Sequence, residues 1–197
     1  MNSLDKSQPD RLVVGVSGAS GAILGIRLLE ALANTAIETH LVISPAAQTT
    51  ITYETGWGIK KVLGLANSHY NYNDLGACIA SGSFSTMGMI VIPCSIKTLS
   101  SIANSYNQDL LTRAADVNLK EGRPVILMIR EAPLHQGHIQ LMDQATRSGA
   151  VIFPPVPAFY AQPKSLDEVV DNIVGRVLAR IGIQNDLYQE WEGRNPS

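Results

Sequence analysis

The chain has 197 residues, of which 45% are hydrophobic, and its formal net charge is −2. This length and composition predict one domain with a sizeable core, and the lack of a basic run argues against a nucleic-acid or anionic-membrane partner. Two cysteines without Cys-x-x-Cys or Cys/His ligand spacing exclude a disulfide framework, and they indicate a reduced, cytoplasmic setting and no metal site.

The two ends of the chain are predicted to be less ordered than its middle. Residues 1–10 are polar and carry two acids, which favours a loose tail over a signal or transit peptide. No apolar stretch approaches the length of a membrane span. Residues 11–197 are therefore expected to form a single domain that ends in a short C-terminal tail.

The first ordered stretch, residues 11–25, is predicted to be a buried strand, a tight turn of small residues and a helix. Such a turn aims N–H groups at the start of the helix, where an anion such as phosphate binds, and Ser20 adds a hydroxyl. The glycine spacing is not G-x-G-x-x-G, and the next strand ends in Ser44 instead of an acid, so a mononucleotide or another phosphate ligand is favoured over a dinucleotide. The alternative to a phosphate-binding turn is a glycine turn that only allows the strand and the helix to pack closely.

The remaining elements alternate along the chain. Strands are predicted over residues 39–43, 87–95, 124–131 and 150–153, and residues 77–85 are predicted to be a short strand that runs into a loop of small residues. Helices are predicted over residues 45–54, 59–65, 96–104, 108–122, 138–149 and 165–182, the last with a capping-box-like Ser165 and Glu168. Residues 67–74 are predicted to be a polar loop, with His69 as a loop residue.

Three features of this pattern leave alternatives open. Glu54 lies near the end of a helix, where the negative end of the helix dipole is unfavourable for a carboxylate. It is therefore either a functional residue or an ordinary solvated glutamate. Arg113, Asp116 and Lys120 share one helix face, which suits either a salt-bridged surface or a site. Cys94 is interpreted as a small packing residue in preference to a nucleophile.

The alternation of strands and helices predicts a parallel sheet covered on both faces. The carboxyl ends of all its strands then lie at one edge, where open α/β sheets bind ligands. Ser20, Ser44, Ser95 and Arg130 each follow a strand. The sequence therefore predicts three hydroxyls and a guanidinium at a single ligand-binding edge.

Seven segments resemble the UbiX family of flavin prenyltransferases, also known as aromatic acid decarboxylases, over about residues 11–191. They are VSGASGA (16–22), ISPAAQ…E (43–54), ASGSF (80–84), PCSIKTLS (93–100), LLTRAADVNLKEGRP (110–124), REAPLH (130–135) and PAFYAQP (157–163). The resemblance implies a three-layer, doubly wound α/β flavoprotein of Rossmann-like or flavodoxin-like type. It also implies transfer of a dimethylallyl group from dimethylallyl monophosphate to reduced FMN, without a metal. The product, prenylated FMN, would serve a UbiD-type decarboxylase, and the family forms homo-oligomers, typically dodecamers, with sites between subunits.

The resemblance also implies roles for individual residues. The FMN contacts would be Gly18, Ala19, Ser20, Ser44, Ser95, Ile96, Lys97, Thr98 and Arg130. The prenyl phosphate would be held by Lys120, Arg130, Glu131, Tyr160 and Arg176, with Trp191 as an aromatic wall. Ser20 and Glu54 would move protons at the flavin, with the pKa of Glu54 raised by burial.

Two other functions remain open beside this one. The related flavin-dependent cysteine decarboxylases carry P-A-S-A-N-T, where this chain has PCSIKT at residues 93–98. A non-catalytic FMN-binding subunit would not need Glu54, Lys120, Tyr160 and Arg176. One departure from the family lies at Asn104 and Ser105, which stand where the family usually has a glycine, and this leaves the loop shape open.

Overall fold

The computed structural model describes residues 10–191 and residue 193. Most of the predicted N-terminal tail, and residues 192 and 194–197 at the C-terminus, lie outside the described residues. No helix within the described part of the chain has the length and apolar character needed to cross a membrane.

Six parallel strands form one sheet in the order β3-β2-β1-β4-β5-β6. The strands are β1 (Arg11–Val16), β2 (Glu38–Ile43), β3 (Ser68–Tyr70), β4 (Gly88–Cys94), β5 (Val125–Ile129) and β6 (Ala150–Ile152). This is the strand order of doubly wound nucleotide-binding proteins, whose ligand crevice opens where the order reverses, here between β1 and β4.

Seven helices cover the sheet. They are α1 (Ala22–Ala33), α2 (Pro45–Thr55), α3 (Ile59–Leu63), α4 (Ile96–Ala103), α5 (Leu110–Lys120), α6 (Gln136–Arg147) and α7 (Leu166–Arg180). Four of these helices begin at a polar N-cap residue whose side chain accepts a hydrogen bond from a backbone N–H of the first turn. The cap residues are Ser44, Ser95, Asp109 and Ser165.

The core consists of two hydrophobic layers, one on each face of the sheet. Leu12, Val14 and Val16 of β1 point toward α1, α2 and α7. Val13 points to the opposite face, which α4, α5 and α6 cover. Because side chains alternate along a strand, a strand buried on both faces is apolar throughout, and the predicted three-layer α/β fold is confirmed.

Two predictions for the middle of the chain are wrong. Residues 68–70 of the expected polar loop form β3, an edge strand in which His69 is exposed and Tyr70 reaches His40 with 2.7 Å between its hydroxyl and Nδ1. The short strand expected at the start of residues 77–85 is a single 3-10 turn, Cys78–Ala80, and the small-residue loop expected after it is present. An edge strand exposes polar residues and resembles a loop in sequence, whereas small residues alternating with Ile79 resemble a strand without pairing as one.

Candidate functional site

The crevice between β1 and β4 is closed at its base by Ser17, which is 1% exposed. Its hydroxyl donates to the Pro93 carbonyl at 3.0 Å and accepts the Ser95 N–H at 2.8 Å. One buried side chain thus ties the ends of both strands together. Ser17 was not among the predicted site residues. Its only indication in the sequence is its place directly after a buried strand.

The turn between β1 and α1 depends on two glycines. A Cβ at Gly18 would collide with the Cβ of Ala46, so only glycine lets this turn lie against the start of α2. Gly21 caps α1 with φ at 99°, in the left-handed region that glycine readily occupies. Close packing, the alternative weighed for this turn, is therefore part of its role, and it also leaves Ser20 exposed at the carboxyl edge of the sheet.

Glu54 fills the start of α1. Its Oε2 accepts the N–H groups of Gly21 at 2.8 Å and Ala22 at 3.1 Å, and the Ser20 hydroxyl also bonds to the carboxylate. The side chain leaves the unfavourable end of α2 and reaches the positive end of the α1 dipole. The anion expected at this helix start is therefore the protein's own carboxylate.

The pKa of Glu54 is the reverse of the expectation from the resemblance. Partial burial raises this pKa, but the hydrogen bonds from Ser20, Gly21 and Ala22 and the nearby charge of Arg130 together hold it below its ordinary value. The prediction of a raised pKa is wrong because it considered burial without the donors around the carboxylate. Glu54 is an ionised group in contact with Ser20.

Two further helix starts lie at the same edge of the sheet. Ser44 caps α2 through the Ala47 N–H at 3.2 Å, and Ser95 caps α4 through the Thr98 N–H at 3.3 Å. The Ser95 hydroxyl also donates to the Thr98 hydroxyl at 3.1 Å. In any helix the first N–H groups lack intrahelical acceptors, so the α4 start offers those of Ile96 and Lys97 to an anion.

Arg130 and Glu131 follow β5 directly and are exposed at this edge. Arg130 lies close enough to Glu54 to act on its charge, which places a guanidinium beside the Ser20–Glu54 pair. Glu131 accepts the Ala132 N–H at 3.0 Å. The predicted convergence of Ser20, Ser44, Ser95 and Arg130 on one edge therefore agrees with the structure.

A cavity of about 440 Å³ lies between α7 and the connection that follows β6. Its apolar part comes from Phe153 and residues 156–159, and its polar part from Tyr160, Asn172 and Arg176. The Trp191 ring meets Tyr160 edge to face, with 5.4 Å between centroids. The pocket, which we call the β6–α7 cavity, can therefore hold a molecule with a hydrocarbon part and an anionic part.

Asn172 is a polar lining residue that the sequence analysis did not select. It is 8% exposed and lies on the buried stripe of α7. The sequence holds a signal for it, because Asn172 stands between the apolar pairs Val169–Val170 and Ile173–Val174 of this helix.

Lys120 lies apart from all these groups. It ends α5, the helix that leads into β5, and therefore stands at the amino edge of the sheet. There it pairs with Glu121, beside the loop at Gly82. Within one chain Lys120 and Arg130 therefore stand at opposite edges of the sheet, since helix–strand order fixes which edge each residue occupies.

The structure shows the surroundings of two groups whose roles the sequence left open. Arg113 and Asp116 form an ion pair at 3.2 Å, whereas Lys120 turns to Glu121. Cys94 is fully buried, and burial raises the pKa of its thiol, so its interpretation as a packing residue is confirmed. The described residues contain no group of three or more His, Cys, Asp or Glu side chains that could hold a metal ion.

Comparison with known proteins places this geometry in a family. The sequence model of the Flavoprotein family matches residues 1–178. The chain is similar to the flavin prenyltransferase UbiX of Thauera aromatica, with 56% identity over 183 residues that cover 93% of this chain and 94% of that protein.

Solved structures show the same relationship. A crystal structure of AnUbiX (PadA1) in complex with FMN and dimethylallyl pyrophosphate matches with a TM-score of 0.93 and 46% identity, covering 95% of this chain and all of that one. A dodecameric FMN-dependent UbiX-like decarboxylase from Escherichia coli O157:H7 matches with a TM-score of 0.91 and 47% identity, covering 93% of this chain and all of that one. The peptidyl-cysteine decarboxylase EpiD shares the fold alone, at 15% identity and a TM-score of 0.61. The chain belongs to the Flavoprotein family and, within it, to the UbiX flavin prenyltransferases.

Proposed function

We propose that the protein transfers a dimethylallyl group from dimethylallyl monophosphate to reduced FMN, giving prenylated FMN and phosphate. The observation that carries this proposal is the pairing of an ionised Glu54, bound to Ser20 and beside Arg130, with a half-apolar cavity that ends in Tyr160 and Arg176. Relatives named flavin prenyltransferases, and a neighbour that holds FMN with dimethylallyl pyrophosphate, support the same assignment.

The residues at the carboxyl edge fit a flavin mononucleotide. The α4 start, capped by Ser95, offers N–H groups to the FMN phosphate, and the exposed Lys97 adds a positive charge. The β1–α1 turn of Gly18, Ala19 and Ser20, together with Ser44 and Arg130, would hold the rest of the nucleotide. Bound reduced FMN supplies the electron-rich ring that accepts the prenyl group.

The β6–α7 cavity would hold the donor. Breaking the allylic C–O bond sends its electron pair to the departing phosphate, whose growing negative charge Arg176, Arg130 and the Tyr160 hydroxyl can stabilise. Phe159 and its apolar neighbours would keep water from the allylic carbon, and Trp191 would face its positive charge. Glu131 would help to orient the basic groups.

Ser20 and Glu54 are assigned to proton transfer. Glu54 is ionised and can accept a proton, and its hydrogen bond with Ser20 gives that proton a path through the serine hydroxyl. The bonds from Gly21 and Ala22 fix the orientation of the carboxylate. The same bonds favour the ionised form of Glu54, so a proton that the carboxylate accepts is readily returned.

Lys120 enters the site only if a second copy of the chain supplies it. We therefore propose a homo-oligomer in which the amino edge of one subunit approaches the β6–α7 cavity of another. A dodecameric relative supports assembly of this kind.

The proposal also covers the cellular location of the protein and the enzyme that receives its product. Both cysteines are free thiols, which suits a reducing cytoplasm. Prenylated FMN is a modified cofactor with no further use at this site, so a UbiD-type decarboxylase would be its recipient.

An anaerobic assay tests the proposal. Purified protein with reduced FMN and dimethylallyl monophosphate should yield a flavin heavier by one prenyl unit and release phosphate, whereas omitting the donor should leave the flavin unchanged. FMN bound with its mass unaltered in the complete mixture would overturn the prenyltransferase assignment in favour of a non-catalytic FMN carrier.

A further inference from the structure

The C-terminal segment, residues 183–191, runs back along α7 and ends at the β6–α7 cavity. Residues 186–189 lie beside Ala161, Pro163 and Asn172. Leu187 packs onto the hydrophobic core, and Trp191 reaches Tyr160. The segment therefore forms a strap whose course determines where Trp191 stands.

One contact fixes the start of this strap. Asn185 Nδ2 donates to the carbonyl of Gly175, in the middle of α7, at 3.1 Å, and to the Ile183 carbonyl at 3.2 Å. Its Oδ1 accepts the Leu187 N–H at 3.1 Å. Asn185 thus uses both ends of its amide to bind the helix and to turn the strap.

Gly175 allows this close approach. A Cβ at this position would lie 2.8 Å from Asn185 Oδ1, 2.9 Å from the Tyr188 nitrogen and 3.0 Å from the Leu187 carbonyl carbon. Two of these three atoms are backbone, so a methyl group must displace the strap itself. Glycine is otherwise unfavourable inside a helix, which makes the close approach the physical reason for it here.

The strap also reaches the polar end of the cavity. Tyr188 lies within electrostatic reach of Arg176 and Tyr160, and its hydroxyl donates to Glu190 at 3.1 Å. Moving the strap would therefore move both the ring that packs against Tyr160, a lining residue of the cavity, and the surroundings of the Arg176 guanidinium.

We infer that Asn185 and Gly175 form a clasp that positions Trp191 against Tyr160 and so sets the affinity of the β6–α7 cavity for the prenyl donor. The inference rests on the proposed function for the identity of the donor. Neither clasp residue lines the β6–α7 cavity; each acts through Trp191 and is a positioning residue.

Kinetics of two variants test the clasp. Gly175→Ala should raise KM for dimethylallyl monophosphate by about tenfold, the change expected when one aromatic contact is lost, and should change kcat by less than about twofold. Asn185→Asp keeps the shape and the Oδ1 acceptor but removes the donor to Gly175, and should raise KM by a smaller factor. FMN affinity should be unchanged in both.

Matched controls separate the clasp from general effects. Gly58→Ala adds a methyl group where φ is −74° and the surrounding space is open. Asn34→Asp removes another amide that bonds to a helix carbonyl, at 3.2 Å from Glu30. Both controls should keep the wild-type KM. A double variant of Gly175 and Asn185 should be no worse than Gly175→Ala alone, because one contact cannot be lost twice.

A spectroscopic measurement is independent of turnover. In a Trp57→Phe background Trp191 is the only tryptophan, and acrylamide should quench its tryptophan emission more strongly in the FMN-bound Gly175→Ala and Asn185→Asp variants than in the FMN-bound parent. Unchanged quenching, or a wild-type KM in folded variants that bind FMN, would overturn the inference that the clasp positions Trp191. Absence of prenylated flavin from the wild type would instead overturn the proposed function, while the quenching still decides the position of Trp191.

Discussion

At the scale of single residues, Glu54 joins two helices that the sequence separates by a strand and a turn. Its carboxylate belongs to α2 by chain position but serves α1 by contact, through Gly21 and Ala22. The sequence could indicate that an acid at a helix end is out of place. It could not indicate the partner, since the direction of a side chain between two elements depends on how they pack.

We predict that Glu54→Gln retains FMN but loses product formation by at least about 100-fold, the lower range for removing a general acid or base. Glutamine keeps the size of the side chain and one oxygen acceptor but cannot take the proton. Flavin mass after a single anaerobic turnover and an FMN binding titration measure the two effects. Glu30→Gln, a change at a half-buried carboxylate of α1 that pairs with Arg27, is the control, and normal turnover by Glu54→Gln would remove Glu54 from the chemistry.

The lowered pKa of Glu54 also predicts a pH dependence of stability. A carboxyl whose pKa is lower in the folded than in the unfolded chain stabilises the fold above the ordinary value of 4.5, and this contribution is lost as the pH falls through the folded pKa. The free energy of unfolding of wild type should exceed that of Glu54→Gln at pH 7, and the gap should narrow below about pH 4.5. Urea titrations across this range measure it, and a gap that widens in acid would contradict the assignment.

At the scale of elements, α4 ends in a Schellman motif whose usual glycine is replaced by Ser105. The Tyr106 N–H bonds to Ser101 at 2.8 Å, the Ser105 N–H bonds to Ile102 at 3.1 Å, and Ser105 has φ at 50°. The departure from the family noted at Asn104 and Ser105 therefore keeps the left-handed turn and replaces only the residue that suits it best.

We expect Ser105→Gly to raise the free energy of unfolding by about 0.5–1 kcal/mol, because glycine enters the left-handed region without the steric cost of a Cβ. Ser148→Gly is the matched control, since Ser148 follows α6 with φ at −80°, where glycine brings its entropic cost and loses the hydroxyl bond to the Gln144 carbonyl at 3.2 Å. Thermal unfolding of both variants measures the difference. Destabilisation by Ser105→Gly would show that the serine side chain contributes more than its backbone strain costs.

Burial determines which strands could be predicted from the sequence. β1, β2, β4 and β5 lie inside the sheet, and their continuous apolar runs predicted them. β3 is a short edge strand, whose polar residues are fixed by pairing with β2 and not by a pattern of their own. The carboxyl-edge residues were predictable because connection order determines the edge, whereas the clasp at Gly175 depends on a distance that no local pattern encodes.

At the scale of the whole molecule, the sheet itself separates Lys120 from Glu54. Strand β4 has seven residues and spans about 20 Å at roughly 3.3 Å per residue, which exceeds the reach of a lysine side chain. A single chain cannot bring both groups to one active site. If both serve the reaction, each site is built from at least two subunits.

Mixed assemblies test this arrangement directly. Lys120→Ala and Glu54→Gln should each be inactive alone, but chains mixed randomly in equal amounts should recover about a quarter of the wild-type rate, because a quarter of the sites then receive both intact groups from different subunits. Anaerobic production of prenylated FMN measures the recovery. Glu54→Gln mixed with Ser20→Ala is the control, since both residues lie at one edge of the same chain and every mixed site retains one defect. No recovery with Lys120→Ala would show that Lys120 does not act across a subunit boundary, and recovery in the control would show that Ser20 and Glu54 of one chain do not act together.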